Sequence, residues 1–549
     1  MYKKGERMKK KKNDFVEDLV LSVREDFLKR QKERKIFEST WRLNNNFLSG
    51  NQYVGIDSLY DIKQEDKVFF WQERKVYNHI APIIEQRLAK LNAIKPEMDI
   101  MASSSNENDQ KVASLSQDIL RGAYEKFNLS QIISKATVWS EIAGTSFYKV
   151  VWNGASGRKI YDKNGKLVYE GDVEISALSP FEIYPDNNYV EDINECESII
   201  HAKAYSVKAI KNIWGVDVKG EEVDVFDAST SLEPIKQNNQ AIVIERYESP
   251  SIEYPNGRLV IVCEDKLLYV GELPFVNLPD GKRGYPFVKQ VCLRVPNCFW
   301  GKSVIEKLIP IQRAYNAIKN RKHEYINRLS MGVLAVEDGS VDVDELSQEG
   351  LQPGKIIVYR QGATPPKFLD EESLPKDFDT EEENLRNEFS EISGVTNILS
   401  NQFSANTLSG TALQLLIEQD TSRLSSSVDE IDRAIKLVAK MILRLYKQFA
   451  VMPRLLKVAN NVGKADLVYF KNSDLGVEDV VFTTDSSLAE SLSTKREHIL
   501  KLLSSNVLKD KDGNVDSEVK RKILELFGMN FVLPTSQKEN LDKKQNEQK

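Results

Sequence analysis

The sequence predicts an α+β protein that is mainly α, and three observations carry that prediction. Apolar residues recur at helical spacing up to Gly144 and alternate afterwards. Two groups of alternating segments, punctuated by turn signals, then extend to about Arg294. From Lys302 onward come amphipathic stretches longer than a small domain is wide. With 549 residues, 41% of them hydrophobic, the chain can bury several cores, about three or four domain-sized pieces.

The helical part opens at Asp14, where Phe15, Leu19, Val23, Phe27 and Ile36 keep helical period among charges as far as "NNNFLSGNQY". Residues 1–13 before it are lysine-rich and read as a disordered, solvated tail. A second helix covers 78–91 and stops short of Pro96, because the residue before a proline is pushed out of the α region. Beyond the polar loop "ASSSNENDQ", helices follow over about 110–127 and 129–142, the latter closed by Gly144. Then "SFYKVVW", "RKIYDKNGKLVYEG" and "DVEISAL" read as strands, with Asn164-Gly165 as a hairpin turn. A second β group runs from "AIVIERYE" through Pro255-Asn256-Gly257 to "RLVIVCEDKLLYVGE", with "SVKAIKNIWG" as a short helix between the groups.

The helix 302–329 carries the stripe Leu308, Ile311, Tyr315, Ile318, Ile326 and Leu329 over about 40 Å. An insert with short strands at 332–336 and 355–359 leads to a very acidic helix, 377–392, ended by Gly394. After the polar "TNILSNQFSANTLSG", the longest helix covers 411–449, about 60 Å. Its stripe, from Leu413 through Leu424, Val428, Ile431, Ile435 and Val438 to Phe449, is close to a heptad repeat. Such a rod calls for an elongated partner, another chain or a stack of helices. The remainder reads as strands at "ADLVYF" and "VVFTTD", helices at "REHILKLL" and "EVKRKILELFG", and a polar tail.

Candidate chemistry fails on spacing. "PNCFWGKS" ends like a phosphate-binding loop, but Pro296 stands where the first glycine belongs, and bulky Phe299 and Trp300 fill the loop. "DKDGNVDSEVKR" has Val515 and Arg521 where a calcium loop needs glycine and glutamate. His79, His201, His323 and His498 lie far apart, so neither a metal site nor a cofactor is expected. The carboxylates of 377–391 spread around a helix, which fits a solvated or ion-paired face better than a catalytic site, and no catalytic residue is assigned. A net charge of −6 gives no global field toward polyanions, and no apolar run approaches a membrane span of about 20 residues. Four scattered cysteines and no secretory apolar run fit synthesis in a reducing cytoplasm.

The two helices bracketing the insert differ in sign. The first carries Lys302, Lys307, Arg313, Lys319, Arg321, Lys322 and Arg328, the second is dominated by acids such as Glu381, Glu382 and Glu388. Side by side, or across subunits, these charges can pair. The plain outcome is a salt-bridged hairpin, and the other is a hairpin repeated around a ring.

The order of "TWRLNNNFLSGNQY", "ERKVYNHIAPIIEQRLAKLNAIKPEMDI", "SEIAGTSFYKVVWN", "FEIYPD", "FWGKSVIEKLIPIQRAYNAIKN" and "SGTALQLLIEQDTSRL" resembles that in portal proteins, the head-to-tail connectors of tailed bacteriophages, particularly short-tailed ones. The resemblance covers roughly 40–449 and leaves the C-terminal hundred residues aside. It implies a portal-type protomer: a wing over 14–301, a stem helix over 302–330, a clip over 331–376 and a second stem helix over 377–393. A tunnel loop over 394–410, a long kinked wing helix with following strands over 411–490, crown helices over 491–530 and a disordered tail over 531–549 would complete it. Gly301 would then start a helix, with Lys302 and Ser303 as first-turn residues.

The resemblance further implies a non-enzymatic dodecameric ring at one capsid vertex of the virion, assembled in a bacterial cytoplasm, with a channel for packaging and ejecting double-stranded DNA without sequence preference. Implied partners are the major capsid protein, scaffold, the large terminase and a head-tail adaptor, with no membrane. Asn397, Asn401, Gln402, Ser404, Asn406 and Thr407 would face the channel, either brushing phosphates or serving only solubility. Lys319, Arg321, Lys322, Arg328, Glu381, Glu382 and Glu388 would form the stem. Glu337, Asp338, Asp342, Asp344, Glu345 and Arg360 would meet the motor or adaptor at the clip. The alternatives are an enzymatic packaging subunit, nuclease or ATPase, and a structural tail or scaffold component.

Overall fold

The computed structural model describes residues 2–67, 72–93, 99–102, 106–161, 167–225, 235–276, 278, 281–331, 334–344, 346, 356–368, 376–394, 410–451, 454–459, 465–475, 480–483 and 501. Helix α1 (Tyr2–Ser49) starts at Tyr2, not at Asp14, and takes in the segment expected to be a tail. Lysine is a good helix former and no proline interrupts the stretch, so an established helix propagates through it. A hairpin of β1 (Val54–Ile56) and β2 (Ile62–Gln64) precedes α2 (Ile80–Ala93) and β3 (Asp99–Ala102). Helices α3 (Glu107–Lys126) and α4 (Leu129–Ala143) follow.

The period change at Gly144 is the start of β4 (Thr145–Asn153). Next come β5 (Lys159–Tyr161), β6 (Leu167–Tyr169), β7 (Asp172–Leu178), β8 (Ile183–Pro185) and β9 (Ser198–Ser206). After α5 (Val207–Trp214) come β10 (Glu221–Val225), β11 (Ile235–Glu248), β12 (Arg258–Cys263), β13 (Lys266–Gly271) and β14 (Phe287–Val291). One antiparallel sheet runs β13-β12-β11-β9-β8, with β10 on β11, and a second runs β14-β4-β7. Strands β5 and β6 pair as the Asn164-Gly165 signal predicts, although that turn lies outside the described residues.

Helix α1 lays Val20, Val23 and Phe27 on Ile200, Ile244, Val260 and Val262 of the larger sheet. Buried Arg30 and Arg34 anchor it further, donating to the carbonyls of Tyr184 and Ser198 and of Pro180, Phe181 and Ile183. Between the sheets, Trp41, Phe147, Phe287, Phe299 and Trp300 form an aromatic core. Burying each such ring stabilises the fold by about 2–3 kcal/mol.

Helix α6 (Val304–Met331) leads through β15 (Leu334–Ala335) and β16 (Lys367–Phe368) to α7 (Asp377–Ser393) and then α8 (Gly410–Phe449). Of the strand expected at 355–359, the described residues 356–359 form none. Ile356, Val358 and Tyr359 are exposed, and with no neighbouring strand among the described residues their β-propensity has nothing there to act through. From Val428 onward the stripe of α8 packs within the chain, one of the two outcomes expected for it, while the side chains of Leu413, Leu416 and Ile417 lie outside the described residues. Val428, Ile431, Ile435, Val438, Ile442 and Leu445 are at most 6% exposed, packed with Leu91, Ile119, Leu120, Tyr148, Val150 and Val288, and Leu424 is fully buried. This part of the stripe therefore gives no argument for association. Strands β17 (Arg454–Ala459) and β18 (Ala465–Phe470) pair with each other, and β19 (Val480–Thr483) pairs with β3. The helices expected beyond 491 and the tail lie outside the described residues.

Candidate functional site

Helices α6 and α7 form a hairpin whose buried seam is Leu308, Ile311, Tyr315, Leu385 and Phe389, continued by Ile80 and Ile84 of α2. Around the seam, opposite charges meet. Lys319 lies 2.6 Å from Glu382, Lys322 reaches Asp379 and Glu382, and Arg386 lies 2.6 Å from Glu382. Glu382 is the hub and also accepts from the Tyr315 hydroxyl at 3.2 Å. Burial alone would raise its carboxyl, but the hydrogen bond and charge of Lys319, with Arg386 and Lys322, hold it below the ordinary range.

A depressed carboxylate contributes stability that is complete above its unfolded value, about 4.3, and is lost as pH falls through the folded value. Acidification below about pH 4.3 is therefore expected to loosen this hairpin. Thermal unfolding between pH 6 and pH 3 checks it: Glu382→Gln should start less stable and lose less over that range. Equal slopes for the two proteins would refute the assignment.

The opposite flank of α6 carries a polar ladder. Gln312, Asn316, Asn320 and Glu324 accept from the backbone amides of His79, Tyr77, Lys75 and Glu73, at 3.0, 3.0, 3.1 and 2.9 Å. Gln312 and Asn320 return hydrogen bonds to the carbonyls of Tyr77 and Lys75. Four helical residues rise about 6 Å and two extended ones about 6.6 Å, so every fourth side chain of α6 meets every second amide of the segment 73–79. Asn78 then caps α2, accepting from the amides of Ile80 and Ala81. The row at i, i+4, i+8 and i+12 stands in the sequence, and recognising it would have predicted this strap.

Where the hairpin joins the remainder, Arg87 of α2 and Glu141 of α4 are buried together, their side chains 4% and 1% exposed. Arg87 donates to both Glu141 oxygens at 2.8 and 3.2 Å and to the Ser393 carbonyl, the end of α7, at 2.7 Å. It also reaches Ser427 of α8. Burial works against the guanidinium charge, yet Glu141 holds its pKa raised. The Cys292 thiol donates to Glu141 at 3.3 Å, and burial pushes its pKa well above the usual value.

The "GKS" segment lies beside this junction and has no amide free for a phosphate. Gly301 donates to Thr145 Oγ1, Lys302 to the Leu293 carbonyl and Ser303 to Glu306 Oε1. Ser303 Oγ accepts from the Ile305 amide, so Ser303 and Glu306 form the capping pair that starts α6 at Val304. The helix thus starts after Ser303, not at Gly301, and exposed Lys302 is a linker residue.

Among the other expected site residues, Arg321, Glu381 and Glu388 are exposed on the outer faces of the hairpin. Arg328 belongs to α6, but its side chain is outside the described residues. Glu337, Asp338, Asp342, Asp344 and Arg360 are exposed on the insert, where Glu337 accepts from the Thr364 amide at 2.8 Å. Glu345 and the loop residues Asn397, Asn401, Gln402, Ser404, Asn406 and Thr407 lie outside the described residues. Among the described residues, no cluster of His, Cys, Asp and Glu could hold a metal ion, and no helix is long and apolar enough to cross a membrane.

Residues 252–507 match the family model described as Phage P22-like portal protein. No curated protein matches the chain.

Proposed function

We propose that this chain, whose residues 252–507 match the Phage P22-like portal protein family, is a phage portal protein, one protomer of a dodecameric ring at a single capsid vertex, the channel for packaging and ejecting genomic DNA. The observation that carries this reading is where the match falls. It takes in α6, the insert, α7 and α8, the parts assigned above to stem, clip and wing helix. In this reading the hairpin forms the channel wall and the insert meets the large terminase and later the head-tail adaptor. The segment 394–410 narrows the channel with uncharged side chains, and the wing is held by the major capsid protein, with scaffold present during assembly.

The chain itself performs no chemistry in this reading, since the amides of Gly301, Lys302 and Ser303 are already bonded. Electron microscopy of the purified full chain tests the proposal, with closed rings around an axial hole as the expected result. A monomer under every assembly condition would overturn it, as would ATPase or nuclease turnover abolished by Lys302→Ala.

A further inference from the structure

The α6–α7 hairpin is charged on both outer faces, and the charges stand at matching heights. Lys322 opposite Asp379, Lys319 opposite Glu382 and Tyr315 opposite Arg386 fix its register. Continued along both helices, that register sets Glu381 level with Asn320, next to Arg321, and Glu388 level with Arg313. At 100° per residue, Glu381 and Glu388 lie on the side of α7 turned away from α6, with Asp377 and Glu391 in the same row. Arg313, Ala317 and Arg321 line the side of α6 turned away from α7, and all three are exposed.

Between those arginines opens a cavity of about 400 Å³, bordered by Tyr53, Asn316, Asn320 and Glu324. Glu65, also on its rim, lies 3.4 Å from Arg313. Glu324 is engaged by the Glu73 amide. Arg321 is the cation on this face with no ion-pair partner among the described residues.

We propose that neighbouring protomers meet through these two faces, Glu381 of one copy against Arg321 of the next, with Glu388 against Arg313 beside it. The inference rests on the ring reading above and adds its contact. A ring closed by rotation alone has no rise from copy to copy, and the proposal sets the hairpin along the ring axis, so that each copy meets its neighbour at equal height. The faces differ, one acidic and one with an open guanidinium, and each copy offers both. That is the requirement for a head-to-tail contact that closes on itself.

The test uses the full chain, with ring fraction read by native mass spectrometry at low salt. Arg321→Glu and Glu381→Arg are each expected to lower the ring fraction at least tenfold while leaving the monomer's circular dichroism unchanged, and the double variant is expected to restore it. Cysteines at both positions, Glu381→Cys with Arg321→Cys, should give an oxidised ladder of covalent oligomers. Single variants that assemble like the parent, or a cysteine pair that never cross-links in assembled rings, would overturn the contact and leave the ring standing. A parent chain that never assembles would remove the ring reading, and this contact with it. Rings intact in Glu381→Arg with altered DNA passage would place the acidic face on the channel instead.

Discussion

Arg87→Met is expected to destabilise the protein by about 3–5 kcal/mol, because it leaves the Glu141 carboxylate buried without its counter-ion. The loss extends beyond the pair. The Ser393 carbonyl at the end of α7 and the Ser427 hydroxyl of α8 lose a donor in the same step. Replacing both charges, Arg87→Met with Glu141→Leu, is expected to recover much of the loss, since two apolar side chains leave no orphaned ion. Urea denaturation of the three proteins measures both effects. A single substitution costing under about 1 kcal/mol would mean that water reaches Glu141 and that the ion pair is not sealed.

Gly144→Ala is expected to be comparably severe, on the order of 4 kcal/mol, or to abolish soluble expression. Gly144 has φ of +80°, and a Cβ there would stand 2.4 Å from the Gly301 carbonyl oxygen. Its opposite number is as tight: a Cβ on Gly301 would stand 2.1 Å from Val291 Cγ1 and 2.5 Å from the Gly144 carbonyl oxygen. The obstructing groups are largely backbone, so no rotamer change relieves them. Soluble yield and urea midpoints of Gly144→Ala and Gly301→Ala, beside Gly281→Ala as a turn control whose Cβ would meet nothing within 4 Å, check this. Near-parental stability of both core variants would show that the two backbones can separate. The glycine of the apparent phosphate loop is thus needed because another main chain passes against it.

Helix periods, the change of period at Gly144 and the opposite charges of α6 and α7 could be read locally, because each is a pattern within one segment. Other features could not. The burial of the α8 stripe depends on Ile119, Tyr148 and Val288, which are remote in sequence and reveal nothing of their common location. Arg87 and Glu141 are ordinary charges on two amphipathic helices until folding brings them together. The exposed segment at Ile356 shows the converse, since strong β-propensity makes no strand where no described residue pairs with it. Ser303 was legible as a capping residue once Glu306 was counted, and the phosphate-loop signature obscured it.

The strap along α6 sets how the segment 73–79 can move against the helix. Its amides engage side chains only at whole intervals of the pattern, two strap residues to four of the helix, so a partial slide leaves every bond broken at once. Because α2 is seated on the same helix through Ile80 and Ile84, the strap is held at one setting, and a displacement shorter than one interval breaks four bonds while making none.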